Sequence, residues 1–266
     1  MKISSAIVGC ETGPDEQRID KRWLMAYNAA LGEVSEKPHP LFSVCYEWPA
    51  TQALRESTGL QRINARLVHA QHDLTIHRPI HSSVREEKLY VSGRVVACLQ
   101  RKPGTLVVLR FETQDEKGEP VSTTHYGMLY RGVALEGGDR SIAKVEDPPR
   151  DEKVLQRSGT FSVAATAAHV YTECARIWNP IHTDPEYARA AGLPGIILHG
   201  TATLALSVSK ILEKLKIEVK RVRCRFARMV LMPSTLTVQA SRAGDEVLFE
   251  TRDAKGQPVI ERGRIG

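Results

Sequence analysis

Five residues suited to a catalytic site lie close together in the second half of the chain: Asn179, His182, Asp184, His199 and Gly200. Asn179 precedes a proline, whose ring disfavours the α conformation in the residue before it, so a helix must end there. Asp184 also precedes a proline, and this pair is typical of the start of a helix. We therefore expect His182 on a short loop held at both ends, which suits a general base.

Gly200 follows His199 where a long apolar segment begins. A glycine amide at a helix N-terminus is a preformed hydrogen-bond donor, reinforced by the helix dipole, and could stabilise a developing oxyanion. Two structural interpretations stay open: Asp184 could act only as a helix cap, and Gly200 could serve only close packing. A histidine loop and an oxyanion donor within 22 residues are nevertheless more specific than either feature alone.

The apolar segment itself, Ile196 to Leu212, predicts a helix that is apolar on almost every side and must be surrounded. Shorter helices are predicted at 164–176 and 185–191, on either side of the histidine loop. Strands that could wrap the apolar helix are predicted at about 217–230, 234–243, 245–252 and 257–263.

An internal repeat indicates two similar domains. The sequence FETQDEKGEPV at 111–121 matches FETRDAKGQPV at 249–259 in eight of eleven positions, at an offset of 138 residues. Each copy predicts two strands joined by a turn whose glycine can take a positive φ. Two domains are therefore expected, 1–131 and 158–266, joined by a polar, proline-bearing linker at 132–157.

The first domain repeats the plan of the second. Helices predicted at 20–33 and 49–58 precede about four antiparallel strands, which end near Arg131. A curved antiparallel sheet around one buried helix is the hot-dog arrangement. The expected fold class is therefore α+β, a double hot dog in which two curved antiparallel sheets each wrap a central helix.

Composition narrows the class of protein. The hydrophobic content of 42% is enough to bury a core, and no apolar run reaches the roughly 18 residues that a membrane span needs. Five widely spaced cysteines without a CxxC pair argue against a disulfide framework and against a zinc site. The N-terminus lacks the apolar stretch of a signal peptide, so the cytoplasm is the expected compartment.

The two segments NPIHTDP (179–185) and AAGLPGIILHG (190–200) resemble the signature of MaoC-like dehydratases, which include the (R)-specific enoyl-CoA hydratases, or hydratase 2 enzymes. The resemblance is clear over about 160–265 and holds in outline over the first half. It implies that His182 is the acid/base, that Asn179 orients the site and that Gly200 supplies the oxyanion donor. It also implies an enoyl thioester substrate and no cofactor.

One position departs from that pattern. The family has an aspartate two residues before the Asn-Pro pair, where this chain has Ile177. Glu173 lies four residues earlier, about one helical turn, so its carboxylate could reach the same face or could point to solvent. Either hydration depends on His182 with help from the substrate, or the reaction has changed.

A basic segment runs from Lys214 to Arg228, and a solvated strand face, a phosphorylated ligand and nucleic acid are all open interpretations. The interspersed acidic residues and the aromatic content of 6% argue against nucleic acid. Arg221, Arg223 and Arg225 alternate, so they project from one face of a strand and could meet the phosphates of coenzyme A. Arg223 and Arg225 are therefore predicted to bind substrate, together with Asp184 and His199.

The histidines of the first half, His69, His72, His77 and His81, lack an Asn-Pro-x-His pattern, and their spacing suits no metal site. We expect them to shape the acyl pocket.

The leading hypothesis is a hydro-lyase acting on an enoyl-CoA or on an acyl-carrier thioester. Two alternatives stay open: a hot-dog enzyme with other chemistry, such as a thioesterase or a specialised lyase or cyclase, and a non-catalytic subunit that binds acyl thioesters. No membrane partner is expected, and the protein could act as a monomer or a homodimer.

Overall fold

A computed structural model describes residues 1–81, 86–149 and 155–266. Within these residues, the first half contains three α-helices and six strands: β1 (Lys2–Ser4), β2 (Glu11–Ile19), α1 (Lys21–Ala30), α2 (Ser43–Tyr46), α3 (Trp48–Ser57), β3 (Leu67–Ile76), β4 (Glu87–Arg101), β5 (Gly104–Asp115) and β6 (Pro120–Arg131). Two short strands follow, β7 (Ala134–Glu136) and β8 (Arg140–Ser141). The predicted linker is thus partly built into the first half, because β8 pairs with β4 and β7 pairs with β1.

The described part of the second half repeats this order with three α-helices and five strands: β9 (Gln156–Val163), α4 (Ala167–Ala175), α5 (Pro185–Ala190), α6 (Gly200–Leu212), β10 (Arg221–Phe226), β11 (Ser234–Ala243), β12 (Glu246–Arg252) and β13 (Pro258–Ile265). Short 3-10 helices precede β3 at Leu60–Arg66 and α5 at Pro180–His182. None of the helices that the structure describes is long and apolar enough to cross a membrane.

Eleven of the described strands form one continuous sheet. Ten follow the order β2-β4-β5-β6-β3-β10-β13-β12-β11-β9, and β8 pairs with β4 beside this path. The order is symmetric about the antiparallel pair β3–β10, in which Leu74 lies opposite Val222 and His72 opposite Cys224. The two sheets expected from the sequence are therefore the two halves of one sheet. Each half retains the curved antiparallel hot-dog plan, so the α+β double hot-dog prediction is confirmed.

The central helix of the second half packs against the concave, inner face of the sheet. Its residues Leu204, Ala205, Val208 and Ile211 are completely buried. The helix begins at Gly200, four residues later than the apolar pattern predicts. The preceding residues are extended because they bond to the chain after β10: the amide of Leu198 donates to the carbonyl of Val230, and Ile197 pairs with Leu231.

The two repeated hairpins have the same turn. Asp115 accepts hydrogen bonds from the amides of Lys117 and Glu119, and Asp253 accepts them from the amides of Lys255 and Gln257. The glycines at the matching positions, 118 and 256, have φ of 79° and 75°, a conformation that favours glycine. The shared turn accounts for the identical aspartate and glycine at these positions of the two halves.

Replacing Asp253 with alanine should destabilise the protein by about 1 kcal/mol, because two backbone amides lose their acceptor. Urea denaturation measures this change, and Lys255→Ala is the matched control because the Lys255 side chain is exposed. An equal loss in both variants would show that the turn does not depend on the aspartate.

Candidate active site

His182 is the buried centre of the candidate site, with 8% of its surface exposed. It ends the 3-10 helix Pro180–His182, whose cap is Asn179: the side-chain oxygen of Asn179 accepts a hydrogen bond from the amide of Ile181 at 3.4 Å. The Nδ1 atom of His182 lies 2.8 Å from the carbonyl oxygen of Ile197. A carbonyl can only accept, so Nδ1 carries the proton and Nε2 keeps its lone pair.

His199 lies directly against this ring. The two imidazoles stack with centroids 3.6 Å apart and an angle of 24° between their planes. The Nε2 atom of His199 is 3.3 Å from the hydroxyl of Thr172, and the ring of Tyr171 lies 4.9 Å away. His199 is thus held between α4 and the start of α6, where it supports the His182 ring from one side.

Burial keeps both imidazoles neutral. Loss of solvent lowers the pKa of His182 to about 4, although the bond to the Ile197 carbonyl opposes this change. Burial also places the pKa of His199 well below its usual value, with a further decrease from the neighbouring His182, while the Ile177 carbonyl opposes it. At neutral pH His182 can therefore accept a proton at Nε2.

Gly200 is the first residue of α6, so its amide is one of those at a helix N-terminus without an intrahelical partner. A Cβ atom at this position would lie 3.3 Å from the ring of Phe226. Close packing against Phe226 is therefore a steric reason for glycine at this position, and the oxyanion role stays a prediction.

Asp184 caps α5, since one carboxylate oxygen accepts from the amides of Glu186 and Tyr187 at 2.8 and 3.0 Å. This is the structural interpretation that the sequence left open. Glu173 is exposed on α4, whereas Ile177 is 95% buried. Glu173 therefore does not lie in the buried site as a substitute for an aspartate.

Arg223 and Arg225 project from the outer face of the sheet. Val222 and Cys224, which alternate with them along β10, are completely buried on the inner face. Each has a carboxylate partner: Arg223 lies 3.2 Å from Glu246, and Arg225 lies 3.7 Å from Asp147. The alternation predicted from the sequence is present. The structure does not bring these two arginines together with His182.

The first-half histidines separate into two pairs. His69 and His72 lie at the seam, where the ring of His69 is 4.7 Å from Phe226 and both rings are 5.1 Å from that of Tyr126. His77 and His81 are exposed. Across the described ranges, no group of three His, Cys, Asp or Glu side chains could hold a metal ion.

Two residues of the first half reach the site without any local signal in the sequence. The side-chain amide of Asn64 donates to the side-chain oxygen of Asn179 at 3.5 Å, and Arg55 donates to Asn64. Asn64 and Asn179 are 115 positions apart. Only the pairing of the two halves brings them together.

Residues 146–262 match the family model of the MaoC-like domain. The chain is 26% identical over 213 residues to peroxisomal enoyl-CoA hydratase 2 of Arabidopsis thaliana, covering 75% of this chain and 67% of the plant protein. It is 25% identical over 221 residues to mouse peroxisomal multifunctional enzyme type 2, covering 80% of this chain but only 29% of the mouse enzyme.

The second half of the chain is therefore identified as a MaoC-like domain. A MaoC-like dehydratase from Phytophthora capsici has the same fold, with a TM-score of 0.82 at 20% identity and coverage of 97% of this chain and 95% of that one. A Mycobacterium tuberculosis protein described as a double hotdog fold aligns with a TM-score of 0.66 at 14% identity, over 97% and 95% of the two chains. Because the two relatives named above carry "peroxisomal" in their names, the cytoplasmic location stays a prediction.

Several buried histidines make the stability of this protein depend on pH. Burial lowers the pKa of His39 to about 3 and the pKa values of His69 and His182 to about 4. In the unfolded chain these groups titrate near 6.5, so the unfolded state binds more protons below that pH. Glu47 has the opposite effect on the pH dependence of stability, because burial raises its pKa to about 7. The three histidines together outweigh this single group.

The free energy of unfolding should therefore decrease as pH falls from about 6.5 towards 4, by more than about 1 kcal/mol per pH unit. Urea titrations at pH 7.5, 6.0 and 5.0 measure it. A constant unfolding free energy over this range would contradict the assignment of neutral buried histidines.

Proposed function

We propose that this protein is a hydro-lyase that adds water to an enoyl thioester, or removes it from a 3-hydroxyacyl thioester. The observation that supports this most is the hydrogen bond from Nδ1 of His182 to the Ile197 carbonyl. It leaves a neutral imidazole with an unshared pair on Nε2, close to the N-terminus of α6. A base near a preformed oxyanion donor is the pairing that conjugate addition to a thioester requires.

In the hydration direction, Nε2 of His182 takes a proton from water while the water oxygen forms a bond to C3 of the enoyl group. The C2–C3 double bond opens, and the electrons move to the thioester oxygen as an enolate. The amide of Gly200 stabilises that oxygen. The proton held by His182 then passes to C2, which completes the addition and regenerates the neutral base.

Asn179 is proposed to hold the water or the thioester, since its side-chain nitrogen forms no hydrogen bond within the described residues while its oxygen is already used. With isoleucine at 177, this position supplies no carboxylate to share the water with His182. The same neutral base could instead direct water at the thioester carbonyl, so a thioesterase is the second candidate, favoured by the buried, apolar Ile177.

Replacing His182 with alanine should lower the hydration rate of trans-2-enoyl-CoA by about 10²- to 10⁴-fold, because the step loses its acid/base. Absorbance of the enoyl thioester follows hydration, and release of free thiol follows hydrolysis. His169→Ala is the matched control, since His169 is exposed on α4.

If the wild type releases thiol and hydrates no enoyl-CoA, the thioesterase assignment replaces the hydro-lyase. If neither reaction occurs and acyl-CoA still binds, the protein is a binding subunit.

Coenzyme A is the proposed carrier, because unpaired cations flank the site. In the sequence, Arg62 and Arg66 lie two positions on either side of Asn64, and Arg228 lies between Phe226 and Val230. All three side chains are exposed, and none forms an ion pair with another residue that the structure describes. By contrast, Arg223 and Arg225 are paired on the outer face.

Changing Arg62, Arg66 and Arg228 together to glutamine should raise KM for an enoyl-CoA by about 10-fold or more, because charge-assisted contacts to the phosphates are lost. KM for an enoyl pantetheine thioester, which lacks the nucleotide, should stay the same. The double change Arg223→Gln with Arg225→Gln tests the competing assignment. If that pair alone raises KM for the CoA ester, the nucleotide lies on the outer face instead.

A further inference from the structure

Arg55 is a charged residue deep in the first half, on α3, with only 1% of its surface exposed. Its Nη1 donates to the side-chain oxygen of Gln52 at 2.8 Å, and its Nη2 donates to the side-chain oxygen of Asn64 at 2.5 Å. Neither partner is charged, and Arg55 has no ion pair within 1–81, 86–149 and 155–266. The nearby Tyr130 is neutral as well, since burial raises its pKa although the Arg55 charge opposes the rise.

A buried guanidinium without a carboxylate is unfavourable, and arginine cannot lose its proton to escape the penalty. Glu47, at the start of the same helix, does not supply the missing charge. Its two oxygens accept hydrogen bonds from Thr124 and Tyr126, both at 2.6 Å. The position of Arg55 therefore calls for a role that a neutral side chain could not fill.

The contacts of Asn64 indicate that role. Because its oxygen accepts from Arg55, its amide nitrogen is the atom that faces Asn179, and it donates to the oxygen of Asn179 at 3.5 Å. That oxygen also accepts from the amide of Ile181. With two donors directed at the oxygen of Asn179, its NH2 group must point the other way.

We infer that Arg55 and Asn64 are positioning residues of the first half, which fix the Asn179 amide so that its NH2 group faces the substrate. The guanidinium orients the Asn64 amide and polarises it, and the Asn64 amide does the same to Asn179. Hydrogen bonds in such a chain strengthen one another in a low-dielectric interior. The inference rests on the proposed function for its kinetic consequence, though the orientation of Asn179 can be measured separately.

Asn64→Asp separates positioning from stability. The new carboxylate still accepts from Arg55 and gives the buried charge a counter-ion, so the urea midpoint should rise or stay the same. An ionised aspartate cannot donate to Asn179, so the Asn179 amide loses its fixed orientation. The expected result is a decrease in kcat of about 10- to 100-fold with little change in KM for the CoA ester.

Gln52→Glu is the matched control. It supplies a carboxylate to the same guanidinium from the other side and leaves the contact between Asn64 and Asn179 intact. Stability should rise as in Asn64→Asp, while kcat should remain at the wild-type value. A purely structural role for Arg55 predicts that activity follows stability in both variants.

The side-chain amide resonance of Asn179 gives a readout that does not need turnover. It is identified by its loss in Asn179→Asp, and it should shift in Asn64→Asp but not in Gln52→Glu. An unshifted resonance in Asn64→Asp, or a kcat equal to that of the wild type, overturns the inference. A shifted resonance in a protein that hydrates no enoyl-CoA would retain the positioning and reject the proposed function.

Discussion

The antiparallel pairing of β3 with β10 is the interaction on which the remaining arrangement depends. Each half alone would end in an exposed strand edge, a surface prone to pairing with other chains. Joining the two edges removes both and makes one sheet from two repeats. The same seam places His69 beside Phe226, which in turn lies against Gly200. The seam therefore places a residue of the first half near the start of α6.

Desolvation is the second physical theme, and it acts on the site in two ways. It keeps His182, the proposed base, neutral at ordinary pH, and it strengthens the hydrogen bonds around that side chain. The same burial makes polar groups costly to leave unpaired. Buried polar side chains in and near the site are paired with backbone groups, such as the Ile197 carbonyl, and with the neutral side-chain amides around Arg55.

The two halves share one fold, but residues at corresponding positions make different contacts. His199 directly precedes α6, and Glu47 directly precedes α3. His199 stacks on the proposed base, whereas Glu47 is fully bonded to Thr124 and Tyr126 on β6. The hairpin turns, which are stabilised locally, remain nearly identical. In our proposal the first half influences the chemical step through Arg55 and Asn64, which fix the Asn179 amide.

Local patterns in the sequence determined the hairpins, the apolar helix, the proline-bounded histidine loop and the alternation of Arg221, Arg223 and Arg225. Each depends on residues a few positions apart, through caps, turn conformations and strand periodicity. The sequence also indicated the MaoC-like domain of the second half, because the motif from Asn179 to Gly200 is continuous in the chain. It placed the start of α6 four residues early, since an apolar run does not reveal a bridge to Leu231.

Only the tertiary structure decided which residues from other parts of the chain contact these elements. Glu246 and Asp147, from distant segments, form ion pairs with Arg223 and Arg225. Asn64 forms a hydrogen bond with Asn179, which is 115 positions away in the sequence. The protonated nitrogen of His182 is set by a carbonyl 15 residues further along. Such contacts follow from strand order and register, which arise from pairing across the whole sheet. No local sequence pattern, such as strand periodicity or a helix cap, encodes these contacts.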